Sequence, residues 1–412
     1  MLDTSFSPWP AYTEEEADAV RRVLLSGRVN YWTGQECRQF ENEFAAAVGC
    51  SHGVAVANGT LALEIALRAL EIGPGDEVIV TPRSFVASAS CVVNVGATPV
   101  FADVDPDSQN ITADTVAAVL SPRTCAVLCV HLAGWPCDMD AITTLARERG
   151  LRVIEDCAQA HGAMYRGRPV GSLGHISAWS FCQDKIITTG GEGGMITTND
   201  PALATLAWSY KDHGKSPEAR WRPADPGQFR WLHDSIGTNA RMLEMQAVLG
   251  RIQLGRLPEW SARRRRHAMR IWSLAATLPG LRAPMPPEDI VHAAYKCYVF
   301  VHHEMLRAGW TRDRILAAIQ ARGVPCYSGS CSEIYRERAF DHIPRPAASA
   351  MPNAQALGRD ALMFLVHPTL QDEEIERACQ ALEAVMHEAV DLPSGTAPPV
   401  VQRPGAAPLH SR

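Results

Sequence analysis

Residues 150–163 read Gly-Leu-Arg-Val-Ile-Glu-Asp-Cys-Ala-Gln-Ala-His-Gly-Ala, and residues 177–197 read Ser-Ala-Trp-Ser-Phe-Cys-Gln-Asp-Lys-Ile-Ile-Thr-Thr-Gly-Gly-Glu-Gly-Gly-Met-Ile-Thr. The apolar run Leu151 to Ile154 reads as a strand that delivers an acid, Asp156, at its carboxyl end. A second apolar run, Ile176 to Phe181, delivers Lys185 beyond its own end. Glycines from Gly190 onward then let the chain turn sharply before a further strand, Met195 to Thr198. The chain holds four lysines, Lys185, Lys211, Lys215 and Lys296, so 35 of its 39 basic residues are arginine. Of the four, Lys185 alone sits in a strand-to-glycine-loop setting.

A carboxylate and an amine held at strand ends suit pyridoxal 5'-phosphate (PLP). The amine forms a Schiff base with the cofactor, which arginine cannot do because it does not lose its proton. The acid keeps the pyridine nitrogen protonated, so that the ring accepts electrons. Lys185 is the expected catalytic residue and Asp156 its cofactor-binding partner.

The rest of the composition narrows the class. A chain of 412 residues is long enough for one large domain and a smaller one. A net charge of −6 gives no general pull toward nucleic acid or membrane. The N-terminus carries neither a basic region nor an apolar core of a secretory signal, and no apolar run approaches the ~18 residues of a spanning helix, so the expected setting is cytoplasmic. Twelve cysteines contain no Cys-x-x-Cys pair and several lie in apolar runs, which favours reduced core thiols over a metal site.

Along the chain, Thr13 and Glu16 form a capping box that opens a helix over 13–26, and a second helix is expected over 35–48. Tyr31 and Trp32 in between either line a pocket or pack the loop. Asn58-Gly59-Thr60 joins a short strand to an amphipathic helix, where free N–H groups and a hydroxyl form either an anion site or an ordinary cap. Strands at 78–80, 100–101, 126–130 and 153–154 alternate with helices at about 84–94, 112–119 and 138–148. That alternation implies an α/β fold with a mostly parallel central sheet, helices on both faces, and a ligand site beyond the carboxyl ends of the strands. His131 reads as structural, and Asp103, Asp105, Asp138 and Asp140 as turn and cap residues rather than metal ligands. Residues 190–194 lack the spacing of a dinucleotide or nucleotide phosphate loop and lead into a strand. Residues 211–238 form a long irregular excursion, and Arg263 to Arg266 read as a solvated helix face or subunit contact. The expected divisions are an N-terminal segment (1–30), a large PLP-binding domain (31–257), a linking helix at about 258–278 with a small α+β domain (to 390), and a disordered tail (391–412).

Glu155 to Ala163 and Ser180 to Lys185, set in a match from about Ala11 to Leu382, resemble the DegT/DnrJ/EryC1/StrS aminotransferases, a branch of the fold-type I PLP enzymes. The resemblance implies a cofactor phosphate held by Gly59, Thr60 and Ser180, a ring stacked on Phe85, and Gln159 against its face or 3-hydroxyl. It also implies that Asn239, in Gly-Thr-Asn-Ala-Arg-Met, reaches across a homodimer interface to the neighbouring cofactor's phosphate. The implied reaction moves an amino group from L-glutamate to a nucleotide-linked keto-sugar, often a 4-keto-6-deoxyhexose. Residues 326–331 depart from the His-Tyr found in many relatives, which leaves the acceptor open. A glutamine-dependent keto-cyclitol aminotransferase and a non-catalytic regulator on the same fold are the alternatives.

Overall fold

The computed structural model describes residues 6–216, 218–219, 227, 231–347 and 349–391. The expected tail from 392 onward and part of the 211–238 excursion lie outside these residues.

Among the described residues nine strands precede the long helix: β1 (His52–Val56), β2 (Glu77–Val80), β3 (Thr98–Phe101), β4 (Thr124–Val130), β5 (Arg152–Asp156), β6 (Met164–Tyr165), β7 (Arg168–Pro169), β8 (Ile176–Ser180) and β9 (Gly194–Thr198). Seven of them form one sheet in the order β1-β9-β8-β5-β4-β2-β3. The five from β8 to β3 run parallel, whereas β9 is antiparallel to both β8 and β1. Strands buried on both faces need continuous apolar runs, which is how Ala126 to Val130 and Val153 to Ile154 were legible as strands.

Helices cover both faces. On one, the helix Gly59–Ala69 buries Ala62, Leu63, Ile65 and Ala66 against Ile176 and Ala178. On the other, Phe40 and Phe44 of the helix Glu36–Ala47 pack on Trp179, Phe181 and Met195. Successive β8 residues therefore face opposite cores, as the two-residue period of a strand requires.

The helix expected at about 258–278 instead runs from Glu244 to Ala275, through Pro258. Proline reads as a helix start, but packing against the N-terminal helices and the small domain carries the helix across it. The expected domain division at 257/258 falls inside this one helix.

Beyond it come β10 (Leu281–Arg282), β11 (Ile290–Val291), β12 (Cys297–Val301), β13 (Cys326–Tyr327) and β14 (Ala361–Phe364). Four make an antiparallel sheet in the order β10-β12-β14-β13, while β11 joins β6 and β7. The helices Arg312–Ala321 and Asp372–Ala389 cover that sheet with a second apolar core.

The arginine run is not uniformly solvated. Arg264 is buried at 1% exposure with its guanidinium over Trp9, Arg263 donates to the Leu370 carbonyl, and Arg266 remains exposed. No helix among the described residues is long and apolar enough to cross a membrane.

Candidate active site

A cavity of about 560 Å³ lies at the carboxyl ends of β5 and β8 and the N-terminus of the helix Gly59–Ala69. Gly59, Thr60, Phe85, Asp156, Gln159, Ser180 and Lys185 all line it. Asn239 does not. It is exposed and bridges to Asp212, on the segment that continues into Arg241.

At one end, Asn58 Oδ1 accepts from Leu61 N–H and caps the helix. The first N–H groups of a helix have no intrahelical partner, so those of Gly59 and Thr60 are donors for an anion. Gly59 has to be glycine: a Cβ there would lie 2.6 Å from the Ser180 Cβ. The glycine run before β9 serves similar packing. A Cβ on Gly194 would collide with the Asn58 carbonyl, which accounts for glycine there without any phosphate contact of its own.

At the other end stands Asp156, buried. Its Oδ2 accepts 2.7 Å from the Ser88 hydroxyl and its Oδ1 accepts 3.1 Å from Ala158 N–H. Burial raises its pKa, only partly opposed by Ser88, Ala158, His131 and Lys185. Two carboxylate oxygens offer about four acceptor positions, so the group keeps capacity for one more donor. A protonated ring nitrogen is such a donor, and it would relieve the cost of burial. Gln159 is anchored by accepting 2.8 Å from Ala133 N–H. The donor set, the cradle at Gly59 and the underused acid fit PLP.

Lys185 Nζ donates to Asp184 Oδ1 at 3.1 Å and to the Tyr295 hydroxyl at 3.2 Å, and Tyr295 in turn donates to Asp184 Oδ2. Burial pushes the Asp184 pKa up, but the Lys185 charge, the Tyr295 hydroxyl and Lys296 outweigh it and hold the carboxyl below its ordinary value. Tyr295 moves the opposite way, raised by burial and by Asp184. Trp9 closes the arrangement, its Nε1–H donating 3.0 Å to the Lys185 carbonyl.

A second cavity of about 480 Å³ shares Ser84, Phe85, Gln159, Asp184 and Lys185 with the first and adds Tyr295, Lys296, Tyr298, Ser330 and Cys331. The expected helix at 84–94 begins only at Ala87, so Phe85 is left in a loop, 66% exposed, between the two cavities.

Several residues were missed in the sequence. Asp184 adjoins Lys185, and a lysine at 296 interrupts an apolar strand; both signals were present. Ser88 gave none, because a serine inside a helix reads as neutral.

The other candidates resolve simply. His131 is buried with Nε2 3.0 Å from Glu155 and Nδ1 accepting from Cys137 N–H. Asp103 accepts from Asn353 and Ala354 N–H, Asp105 from Ser108 N–H, and Asp138 from Ala141 N–H, while Asp140 pairs with Arg166 and Arg168. Arg241 pairs with Asp212. Tyr31 packs under Lys211 and Trp32 against Trp208.

A family model for the DegT/DnrJ/EryC1/StrS aminotransferase family matches residues 10–383. The chain belongs to this family. It is 36% identical over 388 residues to the spore coat polysaccharide biosynthesis protein SpsC of Bacillus subtilis, covering 92% of this chain and 96% of that one. It is 38% identical over 354 residues to a UDP-N-acetyl-3-dehydro-alpha-D-glucosamine 3-aminotransferase of Acidithiobacillus ferrooxidans, covering 86% and 89%. Among solved structures, an aminotransferase from Psychrobacter cryohalolentis superposes with a TM-score of 0.91 at 57% identity, over 93% of this chain and 99% of that one. Family membership makes the protein an aminotransferase of the fold-type I class.

Proposed function

We propose that this aminotransferase uses PLP to move an amino group from L-glutamate to a nucleotide-linked keto-sugar. It would act in the cytoplasm as a homodimer in which each site is completed by Asn239 from across the subunit boundary. The observation that carries the reading is the convergence of Lys185, Asp156, Ser180 and the N-terminus of the helix Gly59–Ala69 on one cavity.

In this reading Gly59, Thr60 and Ser180 would hold the phosphate, Phe85 and Gln159 would bind the ring, Asp156 would accept from its nitrogen, and Lys185 would hold the cofactor through its amine. Bound PLP supplies an electron sink that stabilises negative charge at the donor's α-carbon. With its amine free, Lys185 would take the proton from that α-carbon as general base and return one as general acid. Asp184 and Tyr295 orient that amine. Trp9 fixes the backbone behind it. We further propose two domains, one around each apolar core, with the long helix as the link.

Two acceptors head the tests: the 4-keto-6-deoxyhexose of the sequence reading and the 3-dehydro-N-acetylhexosamine in the relative's name. The decisive assay is a single turnover without acceptor. Holoenzyme mixed with L-glutamate should release one 2-oxoglutarate per site, and Lys185→Ala should release none. Release from glutamine but not glutamate would move the keto-cyclitol reading ahead.

A further inference from the structure

The second cavity holds a cation, Lys296, that the reaction described above does not use. Lys296 lines it beside Lys185 and Asp184. Lys185 Nζ lies 5.1 Å and Lys296 Nζ 4.7 Å from the centre of the Tyr295 ring, and both residues line this cavity. Behind them is Arg264. Its guanidinium rests on Trp9 at 5.0 Å, and its buried Nε and Nη2 have no hydrogen-bond partner among the described residues. Neither Lys296 nor Arg264 forms an ion pair among those residues. The lining thus holds Lys185 already paired with Asp184, Lys296 without an ion pair, and Glu337 exposed at the rim, while Arg83 lies buried over Tyr298 on another wall. His367, stacked on Trp9, adds no charge, because burial takes its pKa down to about 3.

A buried cation without a partner is costly, and an anion brought beside it relieves that cost. Stacking on Trp9 satisfies the face of Arg264 but leaves its in-plane Nε–H and Nη2–H groups unused. Burial, partly opposed by Asp184 and reinforced by Arg264 and Lys185, brings the Lys296 amine down to about 8, a shift that a further anion would reverse.

We propose that Lys296, backed by Arg264, forms an anion-binding subsite in the second cavity that takes a carboxylate or phosphate oxygen of a substrate. The inference rests on the aminotransferase reading above and deepens it. The shared chemistry has two sources: a carboxylate of the amino donor, or a phosphate of the acceptor's nucleotide. Lys296 is a binding residue here and moves no proton.

The test uses PLP-loaded wild type, Lys296→Met and Lys296→Arg. Calorimetry measures binding of glutarate, a dicarboxylate without an amine, and of UDP, dTDP and GDP. Lys296→Met should weaken one probe class on the order of tenfold or more, while Lys296→Arg stays within a few-fold of wild type. Loss confined to glutarate assigns the donor carboxylate, and loss confined to the nucleotides assigns the acceptor phosphate. Sulfate competition on wild type reads the same site without a substitution and should displace the probe. The inference is overturned if wild type binds neither class, if Lys296→Met binds both as wild type does, or if sulfate has no effect. Glutamate turnover in the same preparations reports separately on the aminotransferase reading.

Discussion

The Ser88 hydroxyl donates 2.7 Å to Asp156 Oδ2 and also lies 2.9 Å from the Ser84 hydroxyl. Asp156→Asn can keep this geometry, with its amide donating to Ser88 while Ser88 turns to Ser84. The raised folded pKa of Asp156 has a sign consequence. Its contribution to stability is fully present below the unfolded value near about 3.9 and is lost as pH rises through the folded one. Cofactor-free Asp156→Asn should therefore melt about 1–2 °C above wild type at neutral pH and level with it near pH 4. Activity should vanish. Calorimetric melting across pH checks it, and an Asn variant no more stable than wild type at pH 7 contradicts it.

Gly59→Ala tests the phosphate end. The added methyl meets Ser180, so stability should fall by about 1–3 kcal/mol and PLP affinity with it. Equilibrium dialysis with PLP beside denaturant unfolding separates the two effects. Unchanged PLP binding would remove Gly59 from the site.

Lys211 supports the segment that carries Asn239. Its Nζ is buried, 2.6 Å from Glu41 Oε1 and 3.1 Å from the Ala55 carbonyl, while its own carbonyl accepts from Ala240 N–H. Burial alone would lower its pKa, but Glu41 and Tyr31 outweigh that and raise it. The pair's stabilisation is therefore present below about pH 10.4 and is lost only as the pH rises through the folded value. Lys211→Met should cost about 3–5 kcal/mol, with no pH dependence from Lys211 between pH 6 and 9. A loss under 1 kcal/mol in urea melts would contradict a paired charge.

Shared sites make a distinctive forecast. Ile236 and Trp231, 91% and 80% exposed, lie on the excursion beside Asn239. If Asn239 serves the neighbouring site, Lys185→Ala and Asn239→Ala, each impaired alone, should regain activity when mixed as hybrid dimers. Each hybrid holds one unaltered site. No recovery in verified hybrids would place Asn239 in its own chain's site or in none.

Much of this architecture was legible because parallel strands buried on both faces are written as apolar runs. Asp156 and Lys185 stood out because charged groups at the ends of such runs have few structural reasons to be there. The reversal of β9 was not legible: Met195 to Thr198 reads as a strand in either direction, and only the close pass of Gly194 beneath Asn58 shows how it fits. The helix through Pro258 was hidden because local preference stops a helix there and distant packing overrides it. The helices Pro201–Lys211 and Pro352–Asp360 were not anticipated either, although Asp200 caps the first through Ala202 and Leu203 N–H and each opens on a proline, a local start signal that went unused. Arg264 illustrates the limit most clearly. Four consecutive arginines look solvated, and one of them is buried over Trp9 only because the N-terminal segment folds back across the site.

The most direct measurement is the visible absorption spectrum of the protein reconstituted with PLP, recorded before and after L-glutamate, for wild type and Lys185→Ala. Wild type should show the band of lysine-bound cofactor and lose it on adding glutamate, with one 2-oxoglutarate released per site. Lys185→Ala should lack that band. A wild type whose spectrum ignores both glutamate and glutamine, or a Lys185→Ala variant that behaves as wild type does, would contradict the account.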